Sequence, residues 1–254
     1  MEATVNLDSE QLNDFLRCLT NLREVCNDVD IRSGVVRQRS NDLTSVFEMD
    51  LTPLLTADAT FAITDLKKKL DLLKTFQNQD VNLEIIDNGA GDSHFKFTDQ
   101  YSSIKFISPT LEFMDNKWMS EEELQNIFSM NEDELIMEAE ISSIITDRIK
   151  LVTDNFNTEA IQVIFTGEEA SISASTQSRD QFAKFIEAIP TNVVLENSSS
   201  NLTTVPFGID HDTDVIFKMY KDPNQAVSLN KVSTSLGDID ISVYARSSIM
   251  SDED

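Results

Sequence analysis

Between residues 9 and 24 apolar side chains recur every three or four positions, at Leu12, Phe15, Leu16, Leu19 and Leu22. That spacing lines one face of an α-helix, with Ser9 placed to cap its start, Arg17 on the polar side and Arg23 near the end. A short strand, "TVNL" (4–7), is expected before it. "NDVDIRSGVVRQRSNDLTSVFEMDL" (27–51) then alternates and is rich in β-branched residues, with turn signals at Ser33-Gly34 and Ser40-Asn41-Asp42. It reads as three strands joined by tight turns. The period lengthens again over "ITDLKKKLDLLKTF" (63–76), where Ile63, Leu66, Leu70, Leu73 and Phe76 share a face. Lys67, Lys68 and Lys74 point away from that stripe and Lys69 lies on its flank. Three more short strands follow in "VNLEIID", "SHFKFTD" and "SSIKFIS", separated at Asn88-Gly89 and Asp99-Gln100.

Residues 109–133 break this rhythm with a proline, the sole tryptophan and an acidic cluster. Ser120 and Glu123 are spaced as a capping box for a brief helix, and the segment reads as a connector. "ELIMEAE" (134–140) is strand-like. "ISSIITDRIKLVTDNF" is expected as a helix with Ile141, Ile144, Ile145, Ile149 and Val152 inward, and "EAIQVIFTGEEASISAS" as a hairpin about Thr166-Gly167. "DQFAKFIEAI" permits helix or strand, its position favouring strand. "DTDVIFKMYKD" (212–222) reads as a further helix ending before Pro223. "AVSLNKV" and "DIDISVYARS" close as strands, and "SDED" as a frayed tail.

Strand, helix, hairpin strands, helix and terminal strands thus occur twice in the same order. At an offset of 133, Leu12 meets Ile145, Leu16 meets Ile149, Leu19 meets Val152, Ile31 meets Ile164 and Gly34 meets Gly167. The expectation is an α+β protein of two similar domains, each with two helices packed on antiparallel sheets. Their bounds are 1–109 and 134–254, with 110–133 as connector.

Charge changes the picture more than composition does. Forty-five acidic residues face twenty basic ones, for a formal charge of -25, while 40% hydrophobic residues suffice for real cores. No apolar run reaches the length of a membrane span, and "MEATVNLDSE" has neither the basic nor the apolar region of a signal peptide. With Cys18 and Cys26 read as reduced thiols, an intracellular location is expected. So acidic a chain repels nucleic acid unless its basic groups are segregated. Ten of the twenty fall on four expected helices: Arg17 and Arg23; Lys67, Lys68, Lys69 and Lys74; Arg148 and Lys150; Lys218 and Lys221.

Catalytic chemistry has little to stand on. His94 and His211 are the only histidines, and neither sits in a metal-ligand spacing. "NGAGDS" (88–93) lacks the lysine of a phosphate loop. "DVDIRSG" (28–34) alternates acids as a calcium loop does but lacks the terminal glutamate. No enzyme activity, metal or cofactor is expected.

The ordered units "LDSEQLNDFLRCL", "DIRSGVVRQRSNDLTSVFEMDL", "ITDLKKKLDLLKTF" and "SSIKFIS" resemble the first domain of the DNA polymerase sliding clamps. That family includes proliferating cell nuclear antigen and the T-even phage processivity clamp. "ELIMEAEISSIITDRIKLV" and "GDIDISVYARSSI" resemble the opening and closing elements of the second domain. The resemblance lies in element order, hydrophobic pattern and charge layout, and a phage or viral clamp, or a divergent archaeal relative, fits it better than a cellular eukaryotic one. It implies the DNA clamp fold in a homotrimeric ring whose helices face duplex DNA without reading sequence. It also implies a DNA polymerase and a clamp loader as partners, at replicating DNA (the host cytoplasm for a phage). Client peptides would dock on Leu111, Phe113 and Met114 of the connector, on Tyr244, Ala245 and Ile249 near the tail, and on Leu43. The competing readings are a monomeric or dimeric viral processivity subunit of the same fold, and an acidic DNA mimic.

Overall fold

The computed structural model describes residues 2–23, 26–41, 45–55, 59–86, 93–109, 118–156, 160–175, 182–184, 189–203, 214–221 and 227–251. The chain divides into two compact units. One comprises 1–43, 47–120 and 235–241, the other 44–46, 121–234 and 242–254.

The first unit runs β1 (Glu2–Leu7), α1 (Ser9–Arg23), β2 (Val29–Arg32), β3 (Val35–Arg39), β4 (Ser45–Asp50), β5 (Phe61–Ile63) and α2 (Leu66–Leu73), then β6 (Val81–Ile86), β7 (His94–Thr98) and β8 (Ser103–Ile107). β1, β6, β7 and β8 form an antiparallel sheet in that order, with Glu2 opposite Ile86 and Leu7 opposite Val81. The β2–β3 turn falls at Ser33-Gly34 as expected. Both residues take positive φ, 53° and 75°, the backbone a two-residue hairpin requires and one a glycine adopts without steric cost. Aromatic rings fill the space beneath the helices. Phe97 lies 6.3 Å from Phe15 of α1 and 6.1 Å from Phe76 beyond α2, and Phe95 stacks at 5.1 Å on Phe106. Burying each such side chain contributes about 1.5–3 kcal/mol.

The second unit runs α3 (Glu121–Ile127), β9 (Leu135–Ile141), α4 (Ser143–Phe156), β10 (Ala160–Ser175), β11 (Phe182–Lys184), β12 (Ile189–Thr203), β13 (Val215–Lys221), β14 (Val227–Leu236) and β15 (Ile239–Ser251). The strand order is β11-β10-β12-β9-β13-β14-β15. Its core joins Ile145 and Ile149 of α4 to Ile136, Met137, Val215, Phe217 and Met219. The stretch β9-β13-β14-β15 repeats the plan of β1-β6-β7-β8. In both, the strand before the first helix pairs with the opening strand of a closing three-strand meander.

Several local expectations are corrected. Asp8, not Ser9, caps α1: its carboxylate accepts from the backbone N–H groups of Glu10 and Gln11 at 3.0 and 2.9 Å. The Gln11 side chain accepts in return from Asp8 N–H, which closes a capping box one residue earlier than expected. The lysine helix starts at Leu66 because Asp65 sits at φ 51°, so Ile63 belongs to β5. Residues 160–175 form one strand instead of a hairpin. Its register against β12 shifts on either side of Gly167, so that glycine marks bulges while Gly34 makes a turn. Ile144 is 62% exposed, not inward. Finally, 215–221 is the strand β13, not a helix. Val215, Phe217 and Met219 are buried at alternate positions, and the β-branched and aromatic composition of "VIFKMYK" suits a ladder with partners on both sides. "DQFAKF" is a strand at Phe182–Lys184, as its position favoured.

Candidate nucleic-acid interface

In the first unit α1 and α2 lie side by side and run antiparallel, because each helix start is tied to the end of the other. Ser9 N–H donates to the Asp80 carboxylate at 3.0 Å, and the Asn13 and Asn78 side chains meet at 3.0 Å. At the opposite end Leu66 N–H donates to Asn27 C=O at 2.8 Å, and Asp65 N–H donates to the Asp28 carboxylate at 3.0 Å. Leu66, Leu70 and Leu73 are buried beneath α2. Packing of that stripe turns Lys67, Lys68 and Lys74 outward, and all three are exposed. None of the three forms an ion pair with another described residue.

Lys69 behaves differently from its neighbours. Its ammonium donates to Thr64 Oγ1 at 3.0 Å and lies 5.9 Å and 6.0 Å from the Phe95 and Phe106 ring centres. Burial lowers its pKa from the usual lysine value, against the opposing pull of Asp65 and Asp28. It packs down onto the sheet edge while the other three lysines face solvent. Arg17 and Arg23 are half-buried on α1. Arg17 shares its surroundings with Asp14, whose carboxyl is raised above the usual value by burial first, and also by Glu10, Asp238 and Asp8.

In the second unit Arg148 is exposed on α4 and Lys150 half-buried. Lys218 and Lys221 do not join them on a helix. Phe217 and Met219 pack with Ile145 and Ile149, so the alternation of β13 puts Lys218 on the sheet face away from α4. There its ammonium lies 3.1 Å from Glu138 and 3.5 Å from Glu132. The hydrogen bond to Glu138 raises the lysine pKa, so its charge is compensated locally.

Of the residues expected to hold a client peptide, Leu43, Leu111, Phe113 and Met114 lie outside the described residues. Tyr244 and Ala245 are 9% and 0% exposed, and so belong to the core. Tyr244 sits 5.6 Å from Phe128 and under the Lys231 ammonium at 5.4 Å. Arg246 donates to Ile127 C=O at 2.8 Å, fastening β15 to the end of α3. Ile249 pairs in the ladder with Ser200 of β12.

The sequence reading missed an exposed apolar set: Leu72 (49%), Ile107 (72%), Ile144 (62%) and Leu151 (63%). A signal existed in the doublets Leu72-Leu73 and Ile144-Ile145, since a single helix stripe buries only one member of such a pair well. Among the described residues no cluster of His, Cys, Asp and Glu could hold a metal ion, and no helix is long and apolar enough to cross a membrane.

No family model and no curated protein matches the sequence. Solved structures do match, along almost the whole chain. Proliferating cell nuclear antigen (PCNA) from Entamoeba histolytica is 12% identical, with a TM-score of 0.68 over 96% of this chain and 98% of that one. PCNA from A. fulgidus, with the C-terminal region of FEN-1 bound, is 11% identical at a TM-score of 0.64 over all of both chains. A PCNA2–PCNA3 complex from Sulfolobus tokodaii gives 14% and 0.65 over 96% and 99%. At such identities the likeness speaks for architecture, and the chain has the fold of the PCNA-type sliding clamps.

Proposed function

We propose that this protein is a sliding clamp: a homotrimeric ring that encircles duplex DNA and tethers a DNA polymerase for processive synthesis. The observation that carries the reading is the α1–α2 pair. Its outward face displays Lys67, Lys68 and Lys74 in a chain of net charge -25 with the clamp fold. Segregated lysines attract phosphates, and phosphate contact without base readout leaves the duplex free to move past. Arg17, Arg23, Arg148 and Lys150 extend the basic set from α1 and α4. Lys69 and Lys218 contribute less, Lys69 because it is packed on rings and Lys218 because it is ion-paired. The acidic remainder discourages contact with nucleic acid elsewhere. Three copies of the 28.6 kDa chain give a particle of about 86 kDa, placed on DNA by a loader inside the cell.

The same reading makes 1–109 and 134–254 the two clamp domains and 110–133 the connector that receives client peptides. Phe113, Met114, Leu111, Leu43 and Ile249 would be its apolar anchors. The FEN-1 segment bound by the A. fulgidus protein supports a docking role, and no catalytic chemistry is assigned.

Retention on closed against linear DNA tests the ring. After loading onto nicked circular duplex, the protein is expected to stay through gel filtration in high salt and to leave when the circle is cut. Loss from both forms alike would sink the topological tether.

A further inference from the structure

Asp14 on α1 is a carboxylate in a setting that favours its neutral form. It is half-buried, on the flank of the helix away from Asn13, whose side chain meets Asn78 beyond α2. That flank faces the β14–β15 turn, which belongs to the first unit. Gly237 of the turn has φ 59°, and Asp14 Oδ2 stands 3.0 Å from the point that a Cβ would occupy there. Carboxylate and turn therefore share one tight space. No hydrogen bond or ion pair links Asp14 to another described residue. Burial raises its pKa first, Arg17 one turn along the helix pulls the other way, and Glu10, Asp238 and Asp8 add to the rise. Burial and then the same carboxylate push the Cys18 thiol up to about 12. Asp14 also lies beyond the first turn of α1, where the helix dipole gives an acid little support. A carboxyl raised in this way lends stability while protonated and loses it as pH climbs through the folded value. At neutral pH an ionised Asp14 does not help the fold, so stability does not account for it.

Resting on the clamp reading, we infer that Asp14 is a brake on the DNA grip of α1: its carboxylate competes with phosphates for Arg17 and keeps the duplex loosely held. Residues three apart on a helix are neighbours, so an ionised Asp14 occupies part of the Arg17 field before any phosphate arrives. Sliding needs contacts that release as readily as they form. A resident acid makes the phosphate contact of Arg17 shallower without removing the cation that steers the duplex inward. The brake also answers to pH. The charged groups about Asp14 are Asp8, Glu10 and Arg17 along α1 and its start, and Asp238 on the turn, while Cys18 remains a thiol. When Asp14 takes up its proton, which it does above the usual carboxylate value, Arg17 is released to the phosphates. Grip therefore tightens as pH falls.

Anisotropy of a labelled short duplex, titrated with the full chain at several salt concentrations and pH values, tests this. Wild type is expected to bind more weakly as salt rises. Asp14→Asn keeps the shape and removes the charge. It should bind the duplex about two- to ten-fold more tightly at neutral pH, and should melt at a higher temperature. The gain in affinity should shrink with added salt, and should close as pH falls and the wild-type carboxyl is protonated. In an Arg17→Ala background the same change should give little gain, a coupling that a merely structural acid would not show. If wild type binds duplex and Asp14→Asn only melts later, the brake falls and the clamp reading stands. A gain as large without Arg17 as with it overturns the brake in the same way. If wild type shows no salt-dependent binding to duplex at any pH, the clamp reading falls with it.

Discussion

α2 and β13 carry similar residues to different ends. Both are short, both alternate aliphatic residues with lysines, and both pack a hydrophobic face on a core. In α2 the buried residues are three and four apart, so Lys67, Lys68 and Lys74 stand on the exposed side and Lys69 is drawn down to the sheet edge. In β13 the buried residues are two apart, and strands flank it on both sides. Lys218 lies opposite Glu138 in one neighbour and Lys231 in the other, and its charge is spent on carboxylates. A lysine on a lone helix face is available to a polyanion, and a lysine in mid-sheet is claimed by its cross-strand neighbours.

The largest test of this contrast is the period of β13 itself. Phe217→Ala should cost about 3–5 kcal/mol of stability, because Phe217 is 1% exposed. Ile216→Ser, at 45% exposure, should stay within about 0.5 kcal/mol. Denaturant melts that reversed this ranking would put the strand out of register.

A middle-sized effect separates the lysines. Replacing Lys67, Lys68 and Lys74 together by Ala should lower the slope of log affinity for duplex DNA against log salt by about three, one per lost phosphate contact. Lys218→Ala should leave that slope where it was. An unchanged slope in the triple variant would remove α2 from the DNA face. A fall in the Lys218 variant would mean that its carboxylates release it.

The smallest effects are in stability and its pH dependence. Lys218→Ala should cost about 0.2–1 kcal/mol, the range of a partly exposed ion pair. Beside it the Tyr220 hydroxyl donates to Glu132 at 3.1 Å. Burial first, and then Glu132 and Glu138, push its pKa up to about 12 against the lowering effect of Lys218. The folded state thus favours the protonated phenol. This stability is fully present below the unfolded value near 10 and is lost as pH climbs from there to about 12. Tyr220→Phe should flatten that part of the curve, and a matching decline in both proteins would assign it to other groups.

The sequence made the first unit more legible than the second, for physical reasons. α1 has an unbroken stripe, Ser33-Gly34 has a turn's chemistry, and β6, β7 and β8 are separated by clear turn residues. Its errors there were of one residue, as at Asp8 and Ser9, where either side chain qualifies and only geometry selects. In the second unit "VIFKMYK" satisfies both periods: Val215 and Met219 are helically spaced, while Val215, Phe217 and Met219 alternate. The β-branched and aromatic content suits the ladder, and the ladder partners Glu138 and Lys231 that decide it are distant in sequence. In "ISSIITDRI" four isoleucines left the inward face ambiguous, and packing of Ile145 and Ile149 decided it by turning Ile144 out. The outward placement of Lys67, Lys68 and Lys74 was readable from spacing alone. The compensation of Lys218 was not, because Glu132 and Glu138 are distant in sequence and become neighbours only through the sheet.

The sole tryptophan, Trp118, lies near the end of the 47–120 stretch of the first unit. Trp118 bridges to Gln38, the Arg32 guanidinium covers its ring at 4.2 Å, and Met119 N–H donates to Arg37 C=O at 2.9 Å. The indole N–H is buried without a hydrogen-bond partner among the described residues. The protein therefore contains one intrinsic indole fluorophore, directly beside residues 110–117. An indole under a cation emits according to how that cation sits, so a peptide seated on the neighbouring segment that shifts Trp118 against Arg32 would change the emission. Client docking could then be followed in unlabelled protein by its own light.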